Sequence, residues 1–142
     1  MKWFKNIFRR KHKNEAEDFV EEFNDYQQSI RDAGTNNGRH YTDTPELVKQ
    51  LKREGRFDEA IEILLESVEL TEKESKFAGE GWGVAPWYYE QLAIIYRKQK
   101  RYDLEVAILE RYSSQPKAPG VGPAKLSERL EKAKQLFEKS QA

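Results

Sequence analysis

A pattern of apolar, turn and acidic residues occurs twice in this chain. The two copies read Leu47-x3-Leu51-x3-Gly55-x-Phe57-Asp58-Glu59-Ala60 and Leu92-x3-Tyr96-x3-Lys100-x-Tyr102-Asp103-Leu104-Glu105. In each copy, apolar residues four apart lead to a corner and then to a second helical segment, which is typical of two short helices joined by a tight turn. One such unit cannot bury its apolar face alone, so its repetition predicts helical hairpins that stack side by side.

The size and composition of the chain limit what can surround these hairpins. Its 142 residues suit a single domain, and its charged share of 35% indicates a thin helical protein with much surface. It has no cysteine, which excludes disulfides and thiolate metal sites. Because it has no apolar run of about 18 residues and no apolar N-terminal signal, we expect a cytoplasmic protein that does not span a membrane.

The formal net charge of zero conceals a separation of charge at the N-terminus. Residues 1–13, the basic arm, hold six basic residues and no acidic one, whereas residues 14–32 hold seven acidic residues and Arg31 as their one base. The acidic segment can therefore hold the arm, or an anionic partner can bind it.

The basic arm also carries aromatic residues at helical spacing. Its candidate contact residues are Trp3, Phe4, Ile7, Phe8, Arg9 and Arg10. Three roles stay open for such a segment: peripheral contact with a membrane surface, docking on a partner protein, and packing within its own chain. Nucleic acid is disfavoured as a partner because the basic residues are confined to one short arm and no recognition fold accompanies them.

A stripe of aromatic residues lies along the acidic segment. Phe19, Phe23 and Tyr26, the aromatic stripe, recur at intervals of three or four residues, which predicts an acidic amphipathic helix within residues 14–33. Two repeats are fewer than the roughly three that a stack needs. We therefore expect the stripe to cover one end of the stack. Self-association with a second copy, or contact with a partner, are the alternatives.

Turn and capping residues place the other helices. Thr44 is expected to cap the first helix of the first hairpin, and Asp58 and Asp103 are expected to cap the second helix of each hairpin. A loop rich in proline and glycine, from Pro116 to Pro123, separates off a final helix. The fold class is therefore expected to be all-α, with a helical domain at 44–138 that ends in a capping helix.

The segment 44–116 resembles two degenerate tetratricopeptide repeats. The second copy meets the family pattern W-x2-L-G-x2-Y, then A-x3-F, then P, through Tyr89-x2-Leu92-Ala93-x2-Tyr96, then Leu109 and Pro116. The resemblance implies a short α-solenoid in which the first helix of each hairpin lines a groove for a partner protein or peptide. Lys100 replaces the corner glycine, where a left-handed backbone costs roughly 1 kcal/mol. Glu105 stands at a small-residue position, where an acid is expected to loosen the helix contact or to point outward.

The register of this resemblance gives a candidate groove. Its residues are Lys49, Lys52, Arg53, Trp87, Glu90, Arg97 and Lys98. A basic groove favours an acidic peptide by charge steering, and an ordinary solvated face is the alternative. The Lys and Asn clamp that part of the family uses for a carboxylate is not carried over, because Pro45 and Gln91 stand at two of its positions.

The two corners, Gly55 and Lys100, lie 45 residues apart, against about 34 in the family. The extra residues surround Trp82, which is flanked by glycines. We expect Trp82 to fold back into a gap between helices, and an exposed anchor for a partner is the alternative.

No residue pattern indicates catalysis. His12 and His40 have neither the spacing of metal ligands nor a nearby serine pattern, so we expect no catalytic residue, cofactor or metal. The sequence therefore predicts a non-enzymatic adaptor that binds a partner protein. Two alternatives remain: a peripheral membrane protein attached through the basic arm, and a self-associating structural subunit.

Overall fold

The computed structural model describes residues 14–142, so the expectations for the basic arm lie outside the described residues. The described part forms six helices: α1 Glu15–Ala33, α2 Pro45–Arg53, α3 Phe57–Ala78, α4 Pro86–Lys98, α5 Tyr102–Ser113 and α6 Gly122–Gln141. A small antiparallel hairpin, β1 Thr35–Asn36 and β2 Arg39–His40, and a 3-10 turn at Tyr41–Asp43 join α1 to α2. The expected all-α class is confirmed, and the strands are confined to this linker.

Both helix corners use a left-handed backbone. Gly55, between α2 and α3, has a φ of 71°, which glycine adopts without strain because it has no Cβ. Lys100, between α4 and α5, has a φ of 58°, so the lysine that replaces glycine at this corner is also left-handed. The residue after each corner donates its backbone N–H to the carbonyl five residues earlier, at 2.9 Å for Arg56 and 2.8 Å for Arg101. The two corners therefore close in the same way.

The strain at the second corner can be tested by substitution. We expect Lys100→Gly to raise the free energy of unfolding by about 0.5–1 kcal/mol, because glycine removes the clash between Cβ and the following carbonyl at positive φ. The gain is partial, since glycine also adds entropy to the unfolded chain. Urea unfolding followed by circular dichroism measures the change. Gly55→Lys is the reciprocal control and should lower stability; a less stable Lys100→Gly protein would contradict the assignment.

The expected helix caps are wrong. The α3 and α5 helices each begin two residues earlier than expected, so Asp58 and Asp103 lie inside the first turn. There their carboxylates face the positive end of the helix dipole and make no cap. Thr44 also makes no cap, because its hydroxyl donates to the Tyr41 carbonyl at 2.7 Å.

The α3 helix connects the two hairpins. Its buried face recurs every three or four residues, and Ala60, Leu64 and Val68 are all 0% exposed. α2 and α4 both pack on α3, and α4 packs in turn on α5. The core consequently runs from one hairpin into the other, with Tyr89 and Leu92 of α4 at 0% exposure.

The last helix packs on α5 and α4. It buries Leu126 and Ala133 against them. It begins at Gly122, so Pro123 lies in its first turn rather than in the preceding loop, at a position where a missing backbone N–H costs nothing. Among the helices described, none is both long enough and apolar enough to cross a bilayer.

The first helix meets the rest of the fold through its C-terminal end. The Tyr26 hydroxyl donates to the carbonyl of Ala78 at 3.3 Å, and Ile30 is the buried residue of α1. Because α3 ends at Ala78, the eleven residues of α1 before Tyr26, about 16 Å of helix, extend past it. Residues 14–29 are all exposed. The expectation that the aromatic stripe covers the end of the stack is therefore wrong.

Candidate protein-binding surface

Polar contacts connect α2, α4 and α6 in that order across one surface, the α2–α4–α6 face. On one side, Lys52 of α2 donates to Oε1 of Gln91 on α4 at 2.6 Å. On the other side, the ammonium group of Lys125 on α6 lies 3.0 Å from a carboxylate oxygen of Glu90 on α4. α4 thus contributes to both sides of this face, and the candidate groove residues belong to α2 and α4.

Two lysines lie close together on this face. Burial and, to a smaller degree, the charge of Lys98 lower the pKa of Lys52. Lys98 lies over the ring of Phe57, with its Nζ 5.1 Å from the ring centroid. The contacts of these two ammonium groups with described residues are therefore an amide and an aromatic ring rather than carboxylates. Their charge is available to an anionic group from outside.

The other candidate groove residues on α2 and α4 differ in exposure. Lys49 and Arg53 are exposed on α2, and each contacts a side chain one turn away on the same helix. Trp87 is half-buried at the start of α4, edge-on to Tyr88 with ring centroids 5.1 Å apart. Its exposed edge adds an apolar border to the α2–α4–α6 face.

The side chain of Arg97 pairs with Glu105 instead of contributing to the α2–α4–α6 face, so its expected place in the groove is wrong. Its Nε donates at 2.6 Å to Oε2 of Glu105, which is 0% exposed. Arg129 of α6 lies 3.8 Å from the same oxygen. The expectation that Glu105 points outward or loosens the helix contact is also wrong, because its carboxylate connects α4, α5 and α6. Burial raises the pKa of Glu105, and the hydrogen bond and charge of Arg97 act against that rise.

Trp82 folds back against the end of α3 but stays partly accessible. Its indole Nε1 donates to Glu74 at 3.3 Å, and its backbone carbonyl accepts a hydrogen bond from the Ser75 hydroxyl. The residue is 38% exposed. Trp82 therefore neither fills a gap in the core, as expected, nor stands free as an anchor.

The aromatic stripe is the most exposed apolar surface on α1. Phe19 is 69% exposed, Phe23 52% and Tyr26 48%, and the neighbouring Val20 is 55% exposed. The rings of Phe19 and Phe23 are stacked, with centroids 6.5 Å apart and planes 18° apart. The stripe is thus a continuous surface that the packing of the six helices leaves uncovered.

A buried polar cluster, which the sequence analysis missed, holds the linker between α1 and α2 against α3. Glu74 is 4% exposed, accepts a hydrogen bond from the Tyr41 hydroxyl at 2.7 Å, and accepts the one from Trp82. His40 completes the cluster through Nε2, 2.5 Å from Glu74 Oε2. The His40 Nδ1 accepts from the backbone N–H of Thr42 at 3.2 Å, which assigns the ring hydrogen to Nε2.

Close packing at this cluster requires a glycine. A Cβ on Gly34 would lie 2.5 Å from Glu74 Oε2 and 2.7 Å from His40 Nε2.

The sequence signal that could have identified the cluster is the position of Glu74, which continues the buried face of α3 in phase with Val68 and Thr71. A cleft of about 470 Å³ separates this cluster from the polar side of α1. The hydrogen bonds to Glu74 hold the linker and Trp82 against α3, so the role of the cluster is structural.

The described residues give no evidence of a metal centre. Across 14–142, no group of three or more His, Cys, Asp or Glu side chains is arranged to hold a metal ion. Comparisons with protein-family models, with curated proteins and with solved structures find no match.

Proposed function

We propose that this chain is a non-enzymatic binding module of tetratricopeptide type, which holds an acidic segment of a partner protein on its α2–α4–α6 face. Two features of the fold support the repeat assignment. The hairpins α2/α3 and α4/α5 close through equivalent left-handed corners, and α4 packs directly on the preceding hairpin through α3. In that family the first helix of each hairpin faces the ligand, which corresponds here to α2 and α4.

The observation that carries the proposal is the pair of lysines on neighbouring helices. Lys52 and Lys98 are close enough for the charge of Lys98 to lower the pKa of Lys52, and their contacts are the neutral Gln91 and Phe57. Two like charges held together repel each other, so a carboxylate that approaches both gains two attractions and relieves the repulsion. Acidic peptides are therefore favoured over neutral or basic ones.

Apolar side chains on the same two helices as the lysine pair supply a second element of recognition. Leu47 on α2 is 39% exposed, and Trp87 and Ile94 on α4 are half-buried. A peptide with an apolar residue near its acidic ones would bury that residue against these side chains, which adds affinity that charge alone does not give. The preferred ligand is thus an acidic segment with an apolar anchor.

Charge reversal at the two lysines tests the proposal. We expect Lys52→Glu combined with Lys98→Glu to weaken the binding of a fluorescein-labelled Glu-rich peptide with a leucine anchor by about tenfold or more, because two attractions become repulsions. Fluorescence anisotropy at low salt measures the affinity, and a Lys-rich peptide of the same length serves as the ligand control. Thermal melts check that the variant is folded.

The matched control moves the same charge change to another surface. Lys73 and Lys76 are exposed on α3, so Lys73→Glu combined with Lys76→Glu alters the net charge equally and leaves the α2–α4–α6 face intact. We expect this control to keep its affinity for the acidic peptide within about twofold. An equal loss in both variants, or no binding of the acidic peptide by the unmodified chain, would reject the proposed face.

The alternative functions depend on other parts of the chain. Attachment to a membrane surface would depend on the basic arm, which lies outside the described residues. Self-association finds support in the exposure of Phe19 and Phe23. Cytoplasmic location and the absence of catalysis stay predictions.

A further inference from the structure

The protruding part of α1 combines an uncovered aromatic surface with a strong negative charge. The residues 14–32 carry seven acidic side chains, and three of them, Glu15, Glu17 and Asp18, lie in the first turn of the helix. Acids in a first turn interact favourably with the helix dipole, and Asn14 caps the helix by accepting from the Glu17 N–H at 2.8 Å. The cap and the dipole therefore both favour the helix where it projects, although Phe19 and Phe23 of the stripe stay exposed there.

Charge and hydrophobicity identify the kind of segment that fits this surface. An occupant needs apolar side chains at helical spacing to cover the Phe19–Phe23 stack, together with basic side chains to meet the acidic flanks. The basic arm has both properties, with six basic residues, no acidic one, and Trp3, Phe4, Ile7 and Phe8 at intervals of one, three and one. Its six positive charges match the net negative charge of six on residues 14–32.

Chain length and connectivity favour the arm over other occupants. The arm joins α1 at Asn14, five residues before Phe19. The far end of the stripe, Tyr26, lies about 18 Å along α1 from Asn14, and 13 residues would span about 20 Å as a helix and about 43 Å as an extended chain, so the arm is long enough to fold back over the stripe. A short tether gives an effective concentration on the order of millimolar, which exceeds the concentration of a second copy under ordinary conditions.

We propose that residues 1–13 dock on the aromatic stripe of their own chain. In the docked state the arm neutralises the acidic helix and shields Phe19 and Phe23 from solvent. The aromatic and basic groups of the arm are then occupied, so any other anionic or apolar surface must displace α1 before it can bind them. This interaction is independent of the α2–α4–α6 face, and the proposed peptide binding can fail without affecting it.

Carbodiimide crosslinking of the full chain tests the docking and identifies the occupant. The reagent joins a lysine directly to a carboxylate, so an equal mixture of unlabelled and heavy-nitrogen-labelled chains separates contacts within one chain from contacts between two. At low micromolar concentration we expect crosslinks from Lys2 and Lys5 to acids of α1, all within chains of one label. Crosslinks between labelled and unlabelled chains would assign the stripe to a second copy and overturn the proposal, as would crosslinks from the arm to other helices alone.

A matched pair of variants tests the role of the stripe itself. We expect Phe19→Ser combined with Phe23→Ser to lower the yield of these crosslinks by about fivefold or more, because the arm loses the apolar surface that orients it. Phe77→Ser is the control, since Phe77 is also exposed, at 53%, but lies on α3 outside the stripe. An undiminished yield in the double variant would mean that charge alone attracts the arm and would overturn docking on the stripe.

Discussion

Ala60→Glu is expected to lower the free energy of unfolding by about 3–5 kcal/mol, because it places an unpaired carboxylate where the two hairpins share their core. Ala60 is 0% exposed, and it lies one turn before Leu64 on the buried face of α3. The site is fully buried and holds a small side chain, so a longer one must also displace its neighbours. Few single substitutions have so large an effect outside a packed core.

Urea unfolding followed by circular dichroism measures this loss, with Ala107→Glu as the matched control. Ala107 lies on the second helix of the second hairpin but is exposed, so the same substitution should change stability by no more than about 0.5 kcal/mol there. The difference between the two variants isolates the effect of burial from that of added charge. If Ala60→Glu unfolds together with the control, the buried face of α3 has been assigned in the wrong register.

Local patterns predicted the helices and their corners because the responsible interactions lie within a few residues of each other. The four-residue spacing around Leu51 and Leu92 indicates helices directly. Gly55 indicates a corner because glycine is the residue type that adopts positive φ without strain. Lys100 carries no such signal and was identified through its place in the repeated pattern. The caps were mispredicted because Asp58 and Asp103 suit the first turn as well as the cap position, and neighbouring residues decide between the two.

Long-range pairs could not be derived in the same way. Glu74 meets His40 across 34 positions in the sequence, and Glu105 meets Arg129 on a helix that follows a separate loop. A polar residue on an otherwise buried helical face indicates that a partner exists, but the identity of that partner depends on the packing of the whole fold. Within the candidate groove, Lys52 and Lys98 come together, whereas Arg97 turns toward Glu105.

The aromatic stripe shows a different limit of sequence reasoning. Its spacing correctly predicted an amphipathic helix, since α1 runs from Glu15 to Ala33. Periodicity establishes that a face is apolar, but it does not establish what covers that face. Here α3 ends at Ala78 and α1 extends past it, so α3 does not reach far enough to cover the stripe.

Arg97→Met is expected to lower the free energy of unfolding by about 3 kcal/mol at neutral pH, because it leaves the carboxylate of Glu105 buried without its main partner. The expected loss lies at the low end for breaking a buried ion pair, since Arg129 remains 3.8 Å from Glu105. Methionine keeps most of the packing of the arginine stem, so the effect reports on charge rather than on a cavity.

The pH dependence of this loss follows from the raised pKa of Glu105. A carboxyl whose pKa is higher in the folded than in the unfolded protein contributes stability at low pH, and that contribution disappears as pH rises through the folded pKa. Arg97 opposes the rise, so its removal moves the folded pKa further up. The deficit of Arg97→Met relative to the unmodified chain should therefore be small near pH 4 and grow toward pH 7. Urea unfolding at a series of pH values measures it.

A variant that lacks both charged residues distinguishes the effect of the ion pair on stability from the effect of the packing around it. We expect Arg97→Met combined with Glu105→Leu to recover stability to within about 1 kcal/mol of the unmodified chain and to lose the pH dependence, because the junction of α4, α5 and α6 then holds apolar side chains of similar size. Glu105→Leu alone should cost less than Arg97→Met alone, since Arg97 is partly exposed and can reach water once its partner is gone. A double variant as unstable as the sum of the two single variants would mean that packing, not the buried charge, accounts for the loss.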